Sequence, residues 1–490
     1  MDRVKQLYHS FTPSERKAIR AYLEAFHVKG ENKAIEFLKL IDKQPEITQE
    51  QAADKLYGDL RSKAFIMMKG RLLEKMTEFL TLTVNPESGH RDHAAPFHHD
   101  LVEFRKAMLF ATALQGRQLS SLAIEYLEKA RELAARCNAP ELEVDALIRL
   151  RGLDRSSSGT DRFEALSIQI QKALVQQECD INATGLMRKF LALHGHQVTS
   201  DEARISFLEA HLPDLEENLR QVYSPRADYF LQMLKVHYCF ITRSYEPGKH
   251  SAMQAMEVLR KYEGIRSPMR LSDTWFQLGR LELRCEHYEA AKESFLKARS
   301  LLPIESRAHI LIALLLSYCY LYLHDLDATA SLLEEMKKSP FDRAVQTNVL
   351  NRGLLCYVSA CLAHAHKDFH GAWMRLQDAQ DPNLGRESWL TAIRLFEVML
   401  LIDKGQGDLA SQKLENLRKH LSRYNAPLRM RSIYKLLAAQ ERLSFSFAEV
   451  AGEAKEIHRL RTELLWDSVS QEIVRFEDWY LGHRAKGKKK

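Results

Sequence analysis

The stretch Asp273–Ile304, DTWFQLGRLELRCEHYEAAKESFLKARSLLPI, decides the fold of this chain. Apolar residues recur at helical spacing on both sides of a polar turn at Cys285–His287. Gly279 and Ala291 are small where two antiparallel helices would cross closely, and Pro303 would end the second helix. The stretch therefore predicts a helical hairpin.

This hairpin resembles the tetratricopeptide repeat (TPR), with one clear copy at 272–305. The resemblance rests on eight residues in the order of the repeat signature: Trp275, Leu278, Gly279, Tyr288, Ala291, Phe295, Ala298 and Pro303. It departs at Glu282, where the first helix usually carries an aromatic residue. Weaker copies follow at 313–336, 356–379 and 396–417. The resemblance implies an all-α, right-handed α-solenoid of antiparallel helix pairs, in which the first helices line a concave binding surface.

The rest of the chain predicts helix as well, because Gly (20 residues) and Pro (13 residues) are scarce in 490 residues. We expect an N-terminal helical cap at 1–84, a His-rich loop or linker at 85–100, a TPR-like array at 101–480 and a basic disordered tail at 481–490. Prolines punctuate most later turns.

Composition argues against membrane insertion and against disulfide bonds. The most apolar stretch, Ile310–Leu323, is shorter than the roughly 20 residues needed to cross a bilayer, so a helix buried between neighbours is expected. The seven cysteines form no CxxC pair and lie on apolar helical segments, which is typical of reduced thiols. No signal peptide opens the chain, and we expect a cytoplasmic protein without membrane contact.

No catalytic motif is present, and neither phosphate loops, GxSxG, HExxH nor Rossmann glycines occur. We therefore expect no enzymatic activity and no cofactor. A histidine cluster in the predicted loop has the density of a metal site, but its spacing matches no closed site. A solvated linker without metal is the preferred interpretation of His90, His93, His98 and His99.

The first helices of three successive repeats supply the candidate partner-binding residues. Aromatic residues and Arg are enriched at interface hot spots. The set on the predicted concave face is Phe276, Arg280, Arg284, Tyr318, Tyr322, Tyr357 and His364. The alternative is that several of them pack between helices. The Lys and Asn set with which TPR proteins clamp a C-terminal carboxylate is missing, so a receptor for chaperone tails is not expected.

A basic patch between Ser411 and Gln440 is the second candidate site, because Glu415 is the only acid there. Its members are Lys413, Arg418, Lys419, Arg423, Arg429, Arg431 and Lys435. Such a cluster contacts phosphates or an acidic protein, or is simply a solvated helix face.

These features together predict a non-catalytic scaffold or adaptor. It would present the TPR-like concave surface to a protein or peptide partner in a hetero-complex, as a subunit of a multi-subunit assembly. Two alternatives remain open. One is a nucleic-acid-associated subunit using stretch 413–435, with nucleic acid the less favoured partner, and the other is a peptide-signal receptor.

Overall fold

The computed structural model describes residues 3–25, 33–83, 98–153, 159–195, 200–304, 306–338, 345, 349–379, 387–423, 427–467 and 472–487. Every regular element in these ranges is helical, and no described residue lies in a strand. The chain divides into two compact units, Met1–Cys137 and Asn138–Lys490. Each unit is described by itself below.

The described residues of the first unit form seven helices. They are α1 (Arg3–Ser10), α2 (Pro13–Ala25), α3 (Lys33–Lys43), α4 (Gln49–Tyr57), α5 (Lys63–Thr83), α6 (His98–Gly116) and α7 (Ser120–Arg136). Helix α5 packs against α1 to α4 around Tyr8, Phe37 and Phe65, which are fully buried. Thr48 and Gln51 form a capping box that fixes the start of α4.

The second unit contains the remaining helices. They are α8 (Pro140–Leu153), α9 (Gly159–Gly195), α10 (Asp201–Gln221), α11 (Pro225–Ile241), α12 (Tyr245–Lys261), α13 (Pro268–Arg284), α14 (Tyr288–Ser300), α15 (Arg307–Tyr322), α16 (Leu326–Met336), α17 (Val349–Ala365), α18 (Phe369–Asp378), α19 (Glu387–Asp403), α20 (Gly407–Arg423), α21 (Leu428–Glu441), α22 (Glu453–Thr462) and α23 (Phe476–Gly487). From α11 to α20, consecutive helices pack as adjacent pairs. The prediction of an all-α fold of helix pairs is confirmed.

The same turn joins the two helices of every pair from α11 to α20. One residue of each turn has a left-handed backbone: Arg243, Glu286, His324, Lys367 and Gly405, with φ between 58° and 70°. The next residue donates its N–H to the carbonyl five positions back, as His287 does to Glu282 at 3.0 Å. This is the Schellman motif that closes a helix C-terminus. The repeat is therefore present in the backbone even where the sequence pattern is weak.

The predicted hairpin is α13 and α14, joined at Cys285–His287 as the sequence indicates. The two helices cross closely at Gly279, where an added Cβ would lie 2.7 Å from Cε1 of Phe295. Ala291 and Phe295 are completely buried. Glu282, the departure from the repeat signature, binds the Lys249 ammonium and the His287 ring instead of packing an aromatic side chain.

The apolar stretch from Ile310 forms most of α15, a helix buried on nearly all sides. Among the described helices, none has the length and apolar character to cross a membrane. None of the seven cysteines, all of which lie in the described residues, forms a disulfide bond, and five of them are buried.

The unit boundary, the expected loop and the expected tail differ in their bounds from the sequence-based division. Helices α6 and α7 pack together within the first unit, so the boundary follows Cys137. The loop expected at 85–100 overlaps α6, which begins at His98. The tail expected from 481 begins inside α23, where Arg484 donates to the carbonyl of Phe447 and pairs with Glu453. Residues 84–97 and 488–490 lie outside the described part.

Candidate functional site

Two arginines of α13 stack on one ring of the preceding pair. The guanidinium carbons of Arg280 and Arg284 lie 3.9 and 3.8 Å from the centroid of Phe240, near the end of α11. Arg284 also donates to the Tyr245 hydroxyl at 3.2 Å. Cation–π contact and hydrogen bonds orient both side chains, so a fixed positive site forms between neighbouring repeats.

A carboxylate from the end of the chain occupies this positive site. Nη2 of Arg284 lies 2.6 Å from Oδ2 of Asp467. Burial and the charge of Arg284 lower the pKa of Arg280 to about 10, while the carboxylates of Asp467 and Asp273 oppose that shift. Nε of Arg284 is buried without an acceptor among the described residues. The site therefore favours anions and keeps an unused donor.

Trp466, the neighbour of Asp467, packs against the next repeat. Its ring meets Tyr322 edge-on at 5.2 Å between centroids, and Tyr322 lies 5.1 Å from Tyr288. The Arg475 guanidinium lies 5.2 Å over the Trp466 ring. The Trp466 indole donates to the carbonyl of Glu472 at 2.7 Å. An aromatic residue and an acid, adjacent in sequence, are thus held by two consecutive repeats.

Tyr318 and Tyr357 belong to the next first helices, α15 and α17, and are buried. They are 3% and 1% exposed, and burial raises both pKa values. Tyr357 packs edge-on against Trp389 and lies in the same buried core as Ile473. Both tyrosines contribute to the packing between helices, which is the alternative that the sequence left open.

His364 belongs to a hub centred on Asp403 at the end of α19. His364 Nε2 lies 2.8 Å from Oδ2, His483 Nε2 lies 2.8 Å from Oδ1, and the Trp479 indole donates to Oδ2 at 3.0 Å. Burial opposes ionisation, but these hydrogen bonds outweigh it and lower the pKa of Asp403 to about 2. Helices α17 and α19 are therefore tied to α23.

These contacts define one side of the second unit, here called the first-helix face. It is formed by α11, α13, α15, α17 and α19. The part of the chain seated on it, residues 464–467 and 472–483, is here called the C-terminal segment. Of the sequence-predicted residues, Arg284, Tyr322, Tyr357 and His364 contact the segment or the Asp403 hub. Phe276 lies 6.1 Å from the Phe295 ring, beside Arg280.

The basic patch does not form one free surface. Arg429, whose side chain is 11% exposed, binds the buried carboxylates of Glu472 and Glu477, with closest distances of 2.7 and 2.6 Å. Burial opposes its charge, yet hydrogen bonds to both glutamates raise its pKa. Arg429 therefore anchors the C-terminal segment and is unavailable to an outside phosphate.

Three other basic residues of the patch pair with acids. Lys413 binds the buried carboxylate of Glu397 at 2.7 Å, and Arg418 and Lys419 share Glu415. The remaining members, Arg423, Arg431 and Lys435, are exposed. The stretch 413–435 could not by itself reveal Glu397, Glu472 or Glu477, because these acids lie outside it in the sequence.

One group of potential metal ligands occurs in the described part: Glu246, Cys285 and His287, with ligand atoms within 4.8 Å of one another. The Lys249 ammonium lies 2.7 Å from Glu246, which disfavours a second cation there. Of the predicted loop histidines, His99 is exposed on α6. The side chains of His90, His93 and His98 lie outside the described residues.

Sequence reasoning missed the residues that complete the face: Phe240, Asp403, Trp466, Asp467 and Arg475. Phe240 belongs to a helix pair with a weak repeat signature. The adjacent aromatic and acidic residues Trp466-Asp467, near the chain end and in an otherwise poorly patterned stretch, were the available signal.

The comparisons with known proteins find likeness in structure but not in sequence. No family model matches the chain, and no curated protein matches it in sequence. Among solved structures, the crystal structure of the APC/C hetero-tetramer Cut9-Hcn1 aligns over 99% of this chain and 98% of that chain, at 12% identity and a TM-score of 0.37. The helix pairs and their repeated turns, rather than this likeness, establish a helical-repeat architecture.

Proposed function

We propose that this protein is a non-catalytic scaffold or adaptor that holds a segment of a protein partner on its first-helix face. One observation carries the proposal: the face already holds a polypeptide segment, the chain's own C-terminal segment. It does so through a charge pair at Arg284, an aromatic contact at Tyr322 and the Asp403 hub. These are the interactions with which helical repeats bind extended partners.

Use of stretch 413–435 for nucleic acid gains less support. Arg429 is bound to two buried glutamates, and Lys413, Arg418 and Lys419 are paired with acids, so few cations remain to neutralise phosphates. A cytoplasmic location and membership of a larger complex remain part of the proposal.

A peptide library tests the proposal. A random library displayed on phage is panned on the full chain carrying Trp466→Ala and Asp467→Asn, which loosens the chain's own segment. Selected peptides should bind this variant and lose about tenfold in affinity when Arg284→Gln is added, because a central Arg contact is removed.

The matched control is Glu293→Gln, an exposed change on the second helix α14. It should leave binding of the selected peptides unchanged. Failure to enrich any peptide, or equal effects of Arg284→Gln and Glu293→Gln, would refute the proposed binding face.

A further inference from the structure

The first half of the C-terminal segment, residues 464–467, and its second half, residues 472–483, differ strongly in burial. In the second half, Phe476, Glu477 and Tyr480 are completely buried. In the first half, Leu465 is 54% exposed and the Asp467 side chain is 36% exposed. Local opening free energy follows buried contacts, so the first half opens far more readily than the second.

The receiving site stays in place when the first half leaves. Phe240, Arg280 and Arg284 belong to α11 and α13, and Tyr322 to α15. Arg475 is held independently of Trp466 through its ion pair with Glu286 at 3.7 Å. Departure of Trp466 and Asp467 would expose an aromatic surface next to two guanidinium groups.

We propose that this site recognises an aromatic residue followed directly by an acid in a partner protein. Trp466 and Asp467 of the chain itself occupy the site until such a partner displaces them. This proposal rests on the proposed function above and names the partner's chemistry.

Three features define that chemistry. The Trp466 ring lies between Tyr322 and the Arg475 guanidinium, so the first residue must be a flat aromatic. Its carboxyl-side neighbour must be anionic, because it faces Arg284 with Arg280 close by. Asp467 does not accept a hydrogen bond from Nε of Arg284. This N–H is therefore available as a second donor to an incoming carboxylate. A partner can thus gain a hydrogen bond that the resident pair does not make.

The test uses the chain's own sequence in trans. A fluorescein-labelled peptide of Thr462–Arg475, TELLWDSVSQEIVR, is titrated against the full-length wild type and against the Trp466→Ala/Asp467→Asn variant. The variant should bind about tenfold more tightly, because its own pair no longer competes. Replacing the peptide's aspartate by Asn, or its tryptophan by Ala, should weaken binding to the variant about tenfold.

A charge-reversal experiment tests whether the peptide's acid binds at Arg284. Full-length Arg284→Glu should reject the original peptide and accept one with Arg at the place of Asp467. If the double variant unfolds, Asp467→Asn alone replaces it, since this change leaves Trp466 in place. Melting temperature and far-ultraviolet circular dichroism check that the double variant and Asp467→Asn are folded.

Four results would overturn the proposal. They are equal binding by wild type and variant, indifference to Asp or Trp in the peptide, failure of the charge reversal, and a stable dimer in light scattering, since a dimer would make a second copy of this chain the occupant. If the phage library still yields peptides that need Arg284 but lack an aromatic–acid pair, the binding face stands and only the partner's chemistry is wrong.

Discussion

Nη2 of Arg284 lies 2.6 Å from Oδ2 of Asp467, although the two residues are 183 positions apart in sequence. This contact joins the central repeat to the end of the chain. Its side chains are 15% and 36% exposed, so it is a partly solvated pair rather than part of the core.

The first prediction follows from that exposure. Asp467→Asn should lower the free energy of unfolding by no more than about 1 kcal/mol, because partly solvated ion pairs contribute little. Amide exchange at 464–467 should nevertheless accelerate, since the first half of the segment loses an anchor. Hydrogen exchange with mass spectrometry measures this. Unchanged exchange there would mean that the pair does not hold the segment.

The second prediction concerns Arg429. Arg429→Ala leaves the buried carboxylates of Glu472 and Glu477 without a cation and should destabilise the chain by about 3–5 kcal/mol. Denaturant unfolding gives the value. Arg418→Ala is the control, because Arg418 is exposed and its loss should leave the free energy of unfolding nearly unchanged. Similar losses for the two variants would contradict the assignment of Arg429 as a buried anchor.

The third prediction tests the helix crossing. Gly279→Ala puts a methyl group 2.7 Å from the Phe295 ring and should destabilise by about 1–3 kcal/mol through overpacking. Gly185→Ala in α9 meets nothing within 4 Å and should be neutral or stabilise by about 1 kcal/mol, the helix preference of Ala over Gly. Thermal melts compare the melting temperatures of the two variants with that of the wild type. An unchanged melting temperature for Gly279→Ala would contradict the close packing of Gly279 against Phe295.

The fourth prediction concerns pH. Asp403 has a folded pKa of about 2, below its ordinary value of 3.8, so its contribution is present above about pH 4 and lost as pH falls through 2. Asp403→Asn should therefore reduce stability by about 2 kcal/mol at pH 7. The difference between variant and wild type should shrink between about pH 4 and pH 2. Denaturant unfolding across pH checks this, and a pH-independent difference would exclude the ionised Asp403 as its source.

The fifth prediction addresses nucleic acid. Arg423→Ala/Lys435→Ala removes two exposed cations of the basic patch without disturbing Arg429. Wild type should elute from heparin at low salt, and the variant only slightly earlier, because most of the patch is already paired. Retention on random duplex DNA at physiological salt, abolished in the variant, would make the nucleic-acid alternative the leading one.

Local structure was predictable from local sequence. The α13–α14 hairpin, its turn at Cys285–His287 and the crossing at Gly279 follow from residues close together in the chain. The buried character of α15 was also visible, since a short, predominantly apolar helix needs neighbours on nearly all sides.

The candidate site was only partly predictable, because its contacts join distant helices. Repeat phase placed Arg284 and Tyr322 together, but no local pattern reveals that Asp467 and Trp466 return to them. The pairing of Arg429 in the basic patch was not predictable for the same reason, because Glu472 and Glu477 lie far from Arg429 in sequence.

The left-handed turn residues show how little the repeated turn depends on side-chain identity. Arg243, Glu286, His324 and Lys367 adopt a backbone that glycine tolerates best, yet only Gly405 of the series is glycine. The turns are held by main-chain hydrogen bonds, which any residue except proline can make. Residues of different chemistry therefore support the same turn. The positive φ angles mark the structural repeat at positions where residue identities do not.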